Sequence, residues 1–545
     1  MKKILALILA LSMLLCAVPA FAEEAGEVDW FSKEKYTFNW TQYYVNPAAE
    51  DAVTIKLLED TFNVDINILP IEDSSFLEVL NTYIMGGDIP DVIRLKDPSL
   101  FGTYVDQGVL GAIDMDIVKE YAPIIYNAIS DWEGGVYWSF GNVDGVQYGI
   151  PNISTGNLYH LPIVYNETWM HNVGVTETPK TLDELYDLMV KFTKNDPDGN
   201  GKDDTYGLSS DGMRLVFGAY GINPGAADGR TDHAYFQLID GEVEYTAAIP
   251  RYQESLKVLR QWYQEGLIDP EFITGENTGG YWAVSNSMVN HRIGMTVRGN
   301  YYHWNELGDY SYNNEEGVLT PVEAGAVAAE FVAANPDETL VYGSPVTGPN
   351  GEQGVKSWNS LAQIYCFSPT VASDPDKFAR IMAIFNYMAR GSSYNDLDTR
   401  IQYYLDVYGE EGKYWYFIDR ENGEFGTTQK FKDDYPDFEA VNRFGRTEYG
   451  ASAPGKGSGA GARFAESLGY HEHGIINLVQ YSLPKMAEYQ TNITNIKDKW
   501  MIAFIVGEKD IEADWDEYLA EMNNSGLQEM VDEVREYYWS SHTKE

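Results

Sequence analysis

The sequence predicts an α/β fold with largely parallel sheets, on three observations. Segments rich in β-branched and aromatic residues alternate with amphipathic helical stretches, the pattern left by helices packed on parallel strands. Helix start and stop signals recur at the ends of those stretches. The 545 residues, 44% of them apolar, are material for two or more domains.

Taken in order, Tyr36 to Val45 reads as a strand. Asn46-Pro47 then supplies a cap and first-turn proline for a helix carrying Val53, Leu57, Leu58 and Phe62, and Val64 to Leu69 returns as a second strand. Thr181 with Glu184 three residues on forms a capping box, and Leu182, Leu185, Met189 and Phe192 line one face of the helix it opens. Tyr252, Leu256, Leu259 and Trp262 make a stripe that Gly266 ends, and Asp374-Pro375 opens a helix with Phe378, Ile381, Phe385 and Met388 before Gly391. Trp515, Leu519 and Met522, then Leu527, Met530, Val531 and Val534, flank Asn523 to Gly526 as a helix pair joined by a turn. There is no internal repeat, and the one low-complexity stretch is Ala451 to Ala462.

Lys2 and Lys3, an apolar run from Ile4 to Ala17, and Ala20-Phe21-Ala22 before Glu23 read as a secretory signal peptide cleaved after Ala22. Processing at Cys16 as a lipoprotein is the alternative, against which the bulky Leu15 stands where a small residue is expected. Removing the leader deletes two lysines and no acids, taking the net charge from −45 to −47. That charge excludes nucleic acid as a natural partner and repels polyanions. Only Cys366 survives processing, so no intramolecular disulfide is available; within Leu361 to Phe367 it reads as a buried strand thiol.

The most specific motif is Asp196-Pro-Asp-Gly-Asn-Gly-Lys-Asp-Asp-Thr-Tyr-Gly207. A calcium loop of EF-hand type places oxygens at positions 1, 3, 5, 7 and 9 around a glycine at 6. Here those are Asp196, Asp198, Asn200, the Lys202 carbonyl and Asp204, with Gly201 at the turn. Gly207 replaces the glutamate of position 12, so further oxygens must come from Asp203, Thr205, water or elsewhere. A structural Ca²⁺ is expected; the plain alternative is a solvated acidic turn.

Other motifs fail. Gly450 to Gly457 approaches a phosphate-binding loop but has Gly457 in place of Ser or Thr, and His471-Glu472-His473 lacks the spacing that puts two imidazoles on one helix face. A glycoside hydrolase needs two carboxylates across the scissile bond, and adjacent pairs such as Glu410-Glu411 carry no specific weight among 83 acids.

Seven segments stand in a recognisable order: Gly87 to Ile93, Val143 to Pro151, Pro179 to Leu185, the calcium loop, Glu265 to Phe272, Arg292 to Met295, and Tyr408 to Tyr414. In that order the chain resembles the family 1 extracellular solute-binding proteins of ATP-binding-cassette (ABC) carbohydrate importers, over nearly all of its length. The resemblance implies a two-lobed periplasmic-binding-protein fold of type II, with discontinuous lobes and a hinge. It implies an N-terminal lobe from 23–152 plus about 295–362, and a C-terminal lobe from about 153–294 plus about 363–545 that holds the calcium loop 196–204. The chain should cross near Gly149 to Tyr159 and return near Gly294 to Asn300. Resemblance to the alginate-binding members implies a structural Ca²⁺ apart from the ligand. A non-catalytic receptor is expected, a monomer that captures a neutral oligosaccharide and delivers it to ABC permease subunits. A secreted hydrolase, a receptor for peptides or another solute, and a glycan-binding protein uncoupled from transport are the alternatives.

Aromatic rings stack on sugar C–H faces while amides, carboxylates and arginine read hydroxyls. In open α/β sheets ligands gather outside the carboxyl ends of strands. The candidate ligand residues are therefore Tyr43, Tyr44 and Asn46 after the first strand, Asn152 after the first crossing strand, and Arg298, Asn300, Tyr301 and Trp304 after the returning one. Trp282 and, from the family's turn, Glu411 complete the set. Structurally, tyrosines at strand spacing pack sheets, and Arg298 is equally suited to an ion pair.

Overall fold

The computed structural model describes residues 28–44, 53–72, 75–95, 100–153, 161–225, 235–274, 286–297, 304, 310–313, 318–321, 326–357, 361–391, 395–420, 424–434, 468–470, 472–479 and 483–541. Two sheets organise them. Their strands are β1 (Tyr36–Tyr44), β2 (Val64–Glu72), β3 (Val92–Leu95), β4 (Gly149–Ile153), β5 (Ile163–Asn166), β6 (Met295–Thr296), β7 (Leu340–Gly343) and β8 (Leu361–Phe367). The first sheet has the order β2-β1-β3-β8-β4, with β1, β2 and β3 parallel and β8 antiparallel to both its neighbours. The second is antiparallel, order β6-β5-β7.

Each sheet belongs to its own hydrophobic core. One core gathers Phe38, Trp40, Val92 and Ile150 with Ile364, Phe367 and Phe385 from the helix Pro375–Ala389. The other gathers Tyr165, Phe192, Met295 and Val355 with Trp500, Phe504 and Tyr518 from the C-terminal helices. The chain passes from the first core to the second between 153 and 161, back between 357 and 361, and again to the second between 434 and 468.

This corrects the expected division of the later segments. Met295, Val346 and Val355 lie in the second core, and Met295 and Thr296 pair with Tyr165 and Val164 on β5. The segment from 361 to 389 joins the first core, because β8 supplies the strand between β3 and β4. The return thus comes at 357–361 rather than near Gly294 to Asn300; β6 is the edge of a sheet already begun, so backbone pairing holds it there.

Local signals are realised closely. Thr181 accepts from the Glu184 amide at 3.2 Å and Glu184 accepts from the Lys180 amide at 2.7 Å, fixing the start of the helix Leu182–Lys194. Asp374 accepts from the amides of Asp376 and Lys377, opening Pro375–Ala389. The C-terminal pair is Trp515–Asn524 and Leu527–Ser541. Cys366 is fully buried on β8, and burial pushes its thiol well above the ordinary range. A satellite cluster of rings, with Tyr404 and Phe425 centred 4.0 Å apart beside Trp415, lies against the first core through Tyr387. The leader 1–22, Cys16 and the segments 450–457 and 451–462 lie outside the described residues.

Arg380, fully buried, joins three separate stretches of main chain. It donates to the carbonyls of Phe62 at 2.7 Å, Asn63 at 3.1 Å and Glu34 at 3.3 Å, with its guanidinium carbon 4.5 Å from the Trp30 ring centre. Removing it strands those acceptors and a stacking partner, so Arg380→Met should lower the unfolding free energy by about 3 kcal/mol in urea titration. A loss below about 1 kcal/mol would mean that water replaces these bonds.

Candidate functional site

At the carboxyl edge of the first sheet, β1, β3 and β4 end together and β8 begins, so Asn152 pairs opposite Gln363 and Arg94 opposite Tyr365. Asn152 has no exposed surface, and neither its amide nitrogen nor its amide oxygen has a hydrogen-bond partner. An amide buried this way costs about 1–3 kcal/mol. Such a cost persists where a group is held ready for a ligand. Beside it Arg94 donates from Nε to Gln363 Oε1 and stands 5.9 Å over the Tyr365 ring.

Of the other expected ligand residues, Tyr43 and Tyr44 are the last two of β1, at this same edge. Asn46, Trp282, Arg298, Asn300 and Tyr301 lie outside the described residues. Trp304 is corrected to a core role: 1% exposed, it packs with Val164, Met288, Ile293 and Phe331 on the face of β5 opposite Tyr165. Trp40, from the aromatic run before Tyr44, is likewise core, centred 5.3 Å from Phe385. Glu411 sits in the ring-rich satellite as the ion-pair partner of Arg420, whose guanidinium lies 4.2 Å over Phe417. Arg94 and Gln363, which stand beside Asn152 at this edge, were not among the expected residues. The available signal was an arginine directly after Gly87 to Ile93, in a strand otherwise Val, Ile and Leu.

The acidic loop follows its helix directly. Asp196 adopts φ 46°, and its Oδ2 accepts from the Gly201 amide at 3.0 Å while Oδ1 is buried without a partner. The Asn200 amide bridges the carboxylates of Asp198 at 2.7 Å and Asp204 at 3.1 Å, and its oxygen accepts from the Lys202 amide at 2.8 Å. Burial first, then Asp196 and Asp204, raises the Asp198 carboxyl above its ordinary value, against the lowering by the Asn200 amide. Among the described residues no three His, Cys, Asp or Glu side chains already stand as a metal site. The donors nonetheless suit a hard cation: three carboxylates and an amide around one buried, unsatisfied oxygen. Thr205 is spent elsewhere, its hydroxyl donating to the Phe192 carbonyl at 2.8 Å, whereas Asp203 is exposed.

The loop's exit is fastened to the second core. Tyr206 donates its amide to the Arg292 carbonyl at 2.8 Å and accepts from the Gly294 amide at 3.1 Å. Arg292 grips the buried Asp269 through two bonds of 2.8 and 2.6 Å. A Cβ on Gly294 would stand 2.2 Å from the Phe192 ring, so that position admits only glycine without repacking. The acidic loop and the Asn152 edge therefore belong to different cores.

The polygalacturonan/rhamnogalacturonan-binding protein YtcQ of Bacillus subtilis is 23% identical over 418 residues, 76% of this chain and 73% of YtcQ. The fructooligosaccharide ABC transporter substrate-binding protein FusA of Streptococcus pneumoniae is 27% identical over 278 residues, 48% of each chain. The match to lipoprotein LipO of Bacillus subtilis, at 27% identity, covers 41% of this chain and 43% of LipO. The chain thus spans less than half the length of two of these relatives. FusA in complex with kestose superposes with a TM-score of 0.59 at 18% identity, over 92% of this chain and 99% of that one. Alginate-binding protein AlgQ2 without calcium ion does so at 0.59 and 17%, over 92% and 98%. These likenesses establish the fold, that of the periplasmic binding proteins. The family model for bacterial extracellular solute-binding proteins matches residues 39–350, more than half of the chain, so the chain belongs to the bacterial extracellular solute-binding protein family, a binding role and not a catalytic one.

Proposed function

We propose that this protein captures an oligosaccharide between its two cores and delivers it, as a monomer, to the permease subunits of an ABC transporter. The observation that carries the reading is the buried Asn152 amide without partners at the carboxyl edge of the first sheet. The names of YtcQ and FusA, each for a carbohydrate ligand, support the ligand class. Closure about the three crossings would bury the sugar and signal occupancy. A neutral sugar fits the −45 charge of the whole chain better at long range, while the name of YtcQ keeps an acidic one in the test.

A thermal-shift panel of kestose, other neutral oligosaccharides, oligogalacturonides and peptides tests this. A ligand at 100 times its Kd adds about 2.7 kcal/mol. A shift with a sugar supports the reading; shifts with peptides alone, or cleaved sugars in the mixture, overturn it. Asn152→Leu should stabilise the ligand-free protein by about 1–2 kcal/mol, because it removes an unsatisfied buried amide, and weaken sugar binding at least tenfold.

We further propose that Asp196, Asp198, Asn200, the Lys202 carbonyl and Asp204 hold a structural Ca²⁺, a reading the unsatisfied Asp196 oxygen supports. When bound, the ion supplies charge compensation for the clustered carboxylates. In its absence the raised Asp198 carboxyl has a definite sign: its contribution favours folding below the ordinary carboxylate range and is lost as pH rises through its raised value. Calcium should therefore raise the melting temperature at pH 7, and Asp198→Asn should lose most of that increment while gaining stability in chelator. Equal calcium shifts in both proteins would sink the assignment.

The leader 1–22 is proposed to be removed after Ala22. Intact mass of secreted protein should begin at Glu23; a diacylglyceryl group on Cys16 would replace that assignment. Among the described residues no helix is long and apolar enough to cross a membrane.

A further inference from the structure

The buried amide of Asn152 in the first core has a counterpart in the second, at Asn223. This residue follows the helix Met213–Gly218, precedes the strand Phe236–Ile239 and is 3% exposed. Its Nδ2 is buried with no hydrogen-bond partner. Its other three polar groups are each bonded. The Asn223 main-chain amide donates to Gln237 Oε1 at 2.8 Å, its carbonyl accepts from the Thr246 hydroxyl at 3.0 Å, and its Oδ1 accepts from the Gly225 amide at 3.3 Å. Because the Gly225 amide holds Oδ1, the side chain cannot turn over to present its oxygen, and what it has to offer is a donor with two hydrogens.

The loop itself is firmly held. The next carbonyl, of Pro224, accepts from the Lys497 ammonium at 3.2 Å; that ammonium is 2% exposed and stands 2.8 Å from the Asp498 carboxylate. A buried charge pair under a loop is costly, and it leaves the loop little room to relax. A donor buried without an acceptor forfeits its bonds to water and receives none in exchange, a cost that a ligand oxygen would remove. The loop is also connected to a crossing. The Thr246 hydroxyl lies 3.1 Å from the Tyr235 carbonyl, the Tyr235 hydroxyl donates to the Ile475 carbonyl at 3.1 Å, and that carbonyl also accepts from the Ser357 amide at 2.9 Å. Ser357 is where the chain leaves the second core for β8.

We propose that Asn223 is a specificity-determining ligand contact in the second core, its Nδ2 donating to an oxygen of the captured sugar, so that Asn152 and Asn223 hold one ligand from opposite cores. The inference rests on the oligosaccharide reading above. The acceptor is an oxygen of a neutral sugar or a carboxylate oxygen of a uronic acid, and one experiment separates the two.

Calorimetric titration of the secreted protein with kestose, an oligogalacturonide and the rest of the sugar panel comes first. Absence of binding to all of them removes the oligosaccharide reading and this inference with it. With a sugar that binds, Asn223→Asp keeps an oxygen for the Gly225 amide but puts a second oxygen where the donor stood, and should weaken binding at least tenfold. Asn223→Ser keeps a short acceptor for Gly225 and withdraws the donor, and should also weaken binding at least tenfold. If Asn223→Asp fails to fold, Asn223→Ser carries the comparison. A donor that only holds a buried water would shift the melting temperature and leave sugar affinity within twofold of wild type in both variants. That result overturns the proposal while leaving the oligosaccharide reading intact. Loss of kestose affinity assigns a neutral sugar oxygen; a loss found only with the oligogalacturonide, and steepest in Asn223→Asp, assigns the carboxylate.

Discussion

The insertion of β8 between β3 and β4 is the pairing on which the rest of the molecule depends. Ile364, Tyr365 and Cys366 pair on one side with the strand ending at Leu95 and on the other with the strand ending at Ile153, more than two hundred residues earlier in the chain. Without that strand β4 has no neighbour among the described strands, and the sheet leaves main-chain groups unpaired in a core. To place it there, the chain must come back from the second core after 357. Discontinuity of the two halves is thus a consequence of one sheet needing a distant strand. Crossings of this kind are what allow two cores to move against each other.

The same pairing assembles the polar edge. Arg94, Gln363 and Asn152 come from three distant stretches and meet only because register puts them opposite one another. Below them Trp40, Tyr365, Phe367 and Phe385 pack ring on ring, a stiff base for groups that must hold their orientation. The fold tolerates two local costs: an amide with no partner at Asn152, and crowded carboxylates around Asp196 and Asp198. Both are small against the burial of two large cores, and both are the kind of cost that a bound ligand or ion offsets.

Local structure was legible where a few neighbouring residues decide it. The Thr181 and Asp374 caps, the helix pair around Asn523 to Gly526 and the buried strand thiol at Cys366 all follow from chemistry within one or two turns. So did the acidic loop, whose alternating oxygens are a property of spacing. Asn152 was singled out as the polar residue that follows a crossing strand. Trp304 was misplaced by the same reasoning, because an indole near a strand end serves a core as readily as a sugar, and only the packing of Val164 and Phe331 decides between them.

By itself, then, the sequence determined the α/β class, the helix boundaries, the family motifs and the acidic loop, since each is written in short-range spacing. Only the tertiary structure decided that 361–389 belongs with the first core, and Met295, Val346 and Val355 with the second. It alone brought Arg94 beside Gln363. Strand partners separated by hundreds of residues are chosen by which exposed edge is waiting and which face must be covered, and neither is visible until the sheet exists.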